Sequence, residues 1–78
     1  MFKIKKSYED NNVYIELKKS FSLSSVYASI NNKYIDYIFH DYKAANGLYN
    51  YIYEYKDTNL KIDKLKELAE KLGGMNQA

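Results

Sequence analysis

The stretch Leu48-Tyr49-Asn50-Tyr51-Ile52-Tyr53-Glu54-Tyr55-Lys56 decides how the rest of the chain is read. Its four tyrosines stand on every second residue. Successive strand side chains point to opposite faces, so in a strand all four rings would project to one side. Aromatic side chains also suit a pleated surface. The stretch is therefore expected to be the central or terminal strand of a small antiparallel sheet.

Toward the N-terminus, residues 2–8 alternate, with Phe2, Ile4 and Tyr8 on one face and Lys3, Lys5 and Ser7 on the other; Lys6 interrupts the apolar face at an edge. Glu9-Asp10-Asn11-Asn12 is a turn cluster, because Asn and Asp tolerate left-handed backbone and bond to their own turns. Residues 13–18 alternate again, with Val13, Ile15 and Leu17 inward. Two such runs around a short polar loop predict a β-hairpin.

Between hairpin and tyrosine stretch, Ser22 to Asn46 reads as a helix. Leu23, Val26, Tyr27, Ile30, Tyr34, Tyr37, Ile38, Tyr42 and Ala45 recur at spacings of three and four, and Asn32, Asp36, His40 and Lys43 form the polar line. Ser22 can cap its start, Gly47 can end it, and Asp41 is the misfit. A competing reading makes residues 34–42 a strand, turned by Asn46-Gly47 into the tyrosine stretch.

Beyond it, residues 60–72 place Leu60, Ile62, Leu65, Leu68, Ala69 and Leu72 on one helical stripe, closed by Gly73-Gly74. The expected architecture is a single α+β domain over residues 1–74. It has a small three-stranded antiparallel sheet with two helices on one face (ββαβα; alternative ββαββα). Residues 75–78 are expected to be a flexible tail.

The 78 residues include no cysteine and one histidine, which leaves neither disulfides nor a cysteine-based zinc site. A chain this short buries only about 60–65 % of its unfolded surface, so packing and self-association are its remaining sources of stability. No apolar run approaches the roughly 20 residues that span a bilayer, and the start of the chain alternates rather than forming a signal-peptide core. The expected location is the cytoplasm. Phe, Tyr, Met, Ile, Asn and Lys make up more than half the chain, and all twelve basic residues are lysine. Those residues have A/T-rich codons, which points to an AT-rich genome such as a low-GC bacterium, its phages or plasmids.

The chain has no glycine-rich phosphate loop and no nucleophile-elbow motif. Asp36 and His40, four residues apart, are the only pair resembling a catalytic or metal-binding arrangement, and they lack the further groups that either chemistry needs. No enzyme, cofactor or metal is expected. Lys3, Lys5, Lys18 and Lys19 gather on the first hairpin with Tyr14 among them, and residues 1–33 carry six lysines against three acidic residues. Such a surface binds nucleic-acid backbones, although lysine on an edge strand also discourages sheet-to-sheet aggregation. Without arginine, that binding would be non-specific.

Ten tyrosines exceed what so small a core can hold with every hydroxyl partnered, so several must reach the surface. Tyrosine is enriched in protein interfaces. With the 48–56 rings inward, Tyr14, Tyr34 and Tyr37, together with Asp36 and His40, are the expected partner contacts. The expected function is a small protein-binding inhibitor or adaptor from a phage or mobile element that covers a host enzyme's substrate site. In kind, though not in sequence, it is similar to anti-restriction and anti-CRISPR proteins. The alternatives are a nucleic-acid-binding regulator that uses the lysine hairpin and a self-assembling structural module, for instance a homodimer.

Overall fold

The computed structural model describes residues 1–78. The order is β1 (Lys3–Glu9), β2 (Val13–Lys19), β3 (Ser24–Ile30), β4 (Lys33–Phe39), α1 (Tyr42–Tyr55), α2 (Ile62–Lys71) and β5 (Met75–Asn76). All five strands form one antiparallel sheet in the order β1-β2-β3-β4-β5. The α+β class and the number of helices stand, although only the second helix lies where it is expected. The three-stranded sheet does not, and neither does the ββαββα alternative.

Two segments are exchanged relative to expectation. Residues 24–39, read as helix, are the hairpin β3–β4, and the tyrosine stretch, read as strand, is the second half of α1. The hairpin turns at Asn31-Asn32, whose φ angles of 50° and 70° lie in the left-handed region that asparagine accepts. Ile30 pairs directly with Lys33, so the loop is two residues long. Counting tyrosine as apolar hid the true period: the core side is Val26, Ala28, Ile30 and Ile35, Tyr37, Phe39, strictly every second residue.

Helix α1 begins at Tyr42 because Asp41 caps it, its carboxylate accepting from the Lys43 N–H at 2.9 Å. That role accounts for an aspartate that fits no helical stripe. Ala45, Leu48, Tyr49 and Ile52 then recur every three or four residues and are buried. The alternating tyrosines split into two helical i, i+4 pairs. Tyr49 stacks on Tyr53 (6.4 Å between ring centroids, 8° between planes), and Tyr51 meets Tyr55 at 4.8 Å.

The first hairpin forms as expected. Asp10 ties its turn by accepting from the N–H groups of Asn12 and Val13, both at 2.9 Å. A bulge between Ile4 and Lys6 shifts the register, so the expected grouping of Ile4 with Tyr8 fails. Ile4 is 58 % exposed, opposite Lys18, while Lys6 lies opposite the buried Leu17 and Tyr8 opposite the buried Ile15. The Lys6 amine reaches α1, donating to Asn46 Oδ1 at 2.7 Å and Asn50 Oδ1 at 3.2 Å.

The core is one cluster of 15 buried residues. Val13, Ile15 and Leu17 of β2 and the inner residues of β3 and β4 face α1, with Leu65 and Ala69 of α2 completing it. α2 occupies Ile62–Lys71, within the expected 60–72. Gly73, at φ 92°, ends it. Met75 and Asn76, inside the expected tail, pair with Ile38 and Tyr37 as β5.

Candidate functional site

Both helices cover the same face of the sheet, and the opposite face is bare. Pairing assigns its rows. Glu9, Tyr14, Ser29 and Tyr34 form one, and Ser7, Glu16, Tyr27 and Asp36 the next. Ile4, Lys18, Ser25, Ile38 and Met75 form the third. Three tyrosines cluster on the middle strands, with Tyr27 diagonal to both Tyr14 and Tyr34. Tyr27 packs against Tyr14 at 6.0 Å and stacks on Tyr34 at 5.6 Å, with planes 30° apart. Ser29, opposite both Tyr14 and Tyr34, is too small to separate them from Tyr27.

The charges on this face are unbalanced. Glu9, Glu16 and Asp36 are opposed by one lysine, Lys18, whose amine lies 3.4 Å from Glu16. The Tyr14 hydroxyl donates to Glu16 at 2.8 Å, and this bond, followed by burial, pushes its pKa up to about 12. The rings therefore carry a carboxylate-rich rim. The chain's formal net charge is +2. With one lysine and three carboxylates on this face, the excess of positive charge lies elsewhere.

Of the expected partner contacts, Tyr14, Tyr34 and Asp36 come together on the bare face, with Tyr34 49 % exposed. Tyr37 does not join them. It is fully buried on the helix-covered side, one strand residue from Asp36, and donates to Glu70 Oε2 at 2.9 Å. His40 is exposed in the connection between β4 and α1. Since Asp36 and His40 belong to strand and loop rather than to one helix, four residues separate them by about 13 Å of extended chain. No three His, Cys, Asp or Glu side chains gather anywhere to hold a metal.

The four hairpin lysines share one end of the sheet but not one face. Lys3 pairs with Lys19 on the helical side, Lys18 opens onto the bare face, and Lys5 sits at the bulge. Lys19 lies 5.8 Å from the Tyr42 ring centre. Tyr27, the ring at the centre of the site, falls on the apolar stripe of the expected helix rather than among the expected contacts. The alternation Ser25, Tyr27, Ser29 against Val26, Ala28, Ile30 was the signal for it.

No family model matches the chain, and neither a curated protein nor a solved structure is significantly similar to it. No helix is long and apolar enough to cross a membrane.

Proposed function

We propose that the protein is a non-enzymatic binding module. Its bare sheet face docks on a basic surface of a partner protein, and it acts as an inhibitor or adaptor by covering that surface. One observation carries this reading: the three-tyrosine cluster framed by three carboxylates and one lysine. Stacked tyrosines held on adjacent strands offer contact area with little side-chain entropy left to lose. The acidic rim steers toward cations and away from phosphate backbones. A surface that itself binds nucleic acid, as on a nucleic-acid-processing enzyme, has the complementary charge. The abundance of Phe, Tyr, Met, Ile, Asn and Lys, whose codons are A/T-rich, supports an origin in a low-GC host, a phage or a mobile element.

The test is retention of a partner from lysate of the producing cells, followed by titration of that partner in purified form. Tyr14→Ser/Tyr34→Ser and Glu16→Lys are each expected to weaken binding by about tenfold or more, while Lys43→Ala on α1 leaves it unchanged. A partner that tolerates both sheet-face changes and is lost with Lys43→Ala would overturn the reading.

A further inference from the structure

A second feature lies at the end of the sheet that carries the β3–β4 turn. There a hollow of about 560 Å³ opens between that turn and the start of α2. Three lysines line it, Lys33 from β4 and Lys61 and Lys66 from the α2 region, against one carboxylate, Asp63. None of the three lysines is in an ion pair; the two ion pairs of the chain involve Lys18 and Lys56. With Asp63 as the one carboxylate among them, the lining keeps an excess of two positive charges. Lys61 stands at the N-cap of α2 with no side-chain cap, a position where a cation is unfavourable. Such a residue choice has a local cost that an anion in the hollow would offset.

The rest of the lining suits more than a bare anion. Tyr34 is also among the lining residues, and the amides of Asn31, Asn32 and Asn59 supply donors and acceptors. The volume falls within the roughly 300–1,000 Å³ of small-molecule sites.

We infer that this hollow binds a nucleoside phosphate, with the phosphate on Lys33, Lys61 and Lys66 and the base against the Tyr34 ring. The inference goes beyond the protein-binding reading. It concerns the sheet's end rather than its face, and only Tyr34 is common to both. A free nucleotide and the phosphorylated end of a single strand present the same chemistry.

The experiment is an amide NMR titration of the full chain with AMP, adenosine, inorganic phosphate and a short single strand with or without a 5′-phosphate. AMP is expected to shift residues 30–34 and 59–63, and adenosine and inorganic phosphate each to bind about tenfold more weakly. Lys61→Ala/Lys66→Ala is expected to weaken AMP by about tenfold or more while leaving the remaining spectrum in place. A phosphorylated strand that binds more tightly than AMP assigns the site to strand ends; equal affinity assigns it to free nucleotides. Absence of shifts at millimolar AMP would overturn the inference. So would shifts spread over all the lysine-bearing surface, or equal binding by the double variant. Because Tyr14→Ser leaves the hollow intact, loss of partner binding in that variant with AMP binding retained separates the two sites.

Discussion

The phenol of Tyr37, fully buried on β4, donates its proton to Glu70 on α2 at 2.9 Å. The bond joins the sheet to the second helix across 33 residues of sequence. Burial, followed by the Glu70 carboxylate, pushes the Tyr37 pKa up to about 12. The folded state therefore holds this proton more tightly than the unfolded chain, whose tyrosines titrate near 10. The stability that results is complete below about pH 10 and is lost as pH rises toward about 12. Tyr37→Phe is expected to cost about 1 kcal/mol at neutral pH and to flatten the alkaline decline. Urea unfolding at neutral and alkaline pH measures both; an unchanged alkaline slope would show that other groups dominate it.

Glu16→Gln removes the charge that receives the Tyr14 proton. The Tyr14 pKa is expected to fall from about 12 toward the ordinary tyrosine value, with the hairpin intact. Ultraviolet titration of the tyrosines against pH would show one more phenol ionising at ordinary pH than in the wild type. A superimposable curve would mean that burial alone holds Tyr14.

Two glycines should respond in opposite directions. Gly47 is exposed within α1, and an added Cβ would meet nothing within 4 Å. Gly47→Ala is expected to stabilise by roughly 0.5–1 kcal/mol through lower unfolded-state entropy. At Gly74 a Cβ would lie 2.8 Å from Phe39 Cζ and 2.9 Å from the Ala69 carbonyl oxygen. Gly74→Ala should cost about 1–3 kcal/mol. Thermal unfolding of the pair checks both signs in one experiment.

Lys56 closes the seam between β1 and α1. Its amine lies 4.1 Å from the Tyr53 ring centre and 5.0 Å from that of Tyr8, with its side chain 15 % exposed. The two rings meet edge to face at 5.2 Å. Lys56→Ala is expected to destabilise by about 1 kcal/mol, and Lys56→Arg to retain most of that contribution. Denaturant midpoints separate the cases, and equal losses in both variants would assign the effect to shape rather than charge.

Asp10 accepts from two backbone N–H groups and the Tyr8 hydroxyl. The Asn12 N–H, first among these, holds its carboxyl below the usual range. A depressed pKa stabilises the fold above the ordinary carboxylate value, and that contribution fades as pH falls through the lower, folded value. Asp10→Ala should reduce the acid sensitivity of unfolding, measured by circular dichroism from neutral to strongly acid pH.

The first hairpin and α2 were legible because their spacing admits one period only: Val13, Ile15 and Leu17 cannot line a helix, and Leu65, Leu68 and Leu72 cannot line a strand. The middle was not legible, because tyrosine suits both pleated sheets and the faces of packed helices. Tyr49 to Tyr55 satisfy an alternation of two and, equally, two i, i+4 pairs. What breaks the tie lies outside those residues, in Asp41 as a cap and in Asn31-Asn32 as a tight turn. Of the proposed site, Tyr14 and Tyr34 were reached from the number of tyrosines a small core can hold, and Asp36 from the polar line of a helix that does not form. Tyr37 was lost to a parity that the helical reading could not express, and the hollow beside α2 needed residues nearly thirty positions apart to be brought together.

Every strand but one pairs with a neighbour reached through a short turn. β5 instead returns to β4 after more than thirty residues, and with only two residues of its own. Next to it, the Gln77 N–H donates a hydrogen bond to the Asp36 carbonyl oxygen (2.8 Å), which extends that thin cover. Contacts that close long loops for few bonds form late and open early. The β4 edge should therefore exchange its outward hydrogens by local fraying, well before the meander lets go. In that opened form the outer edge of β4 at Asp36, Tyr37 and Ile38 joins the already uncovered stretch beside Tyr34, and the whole seven-residue edge stands unpaired.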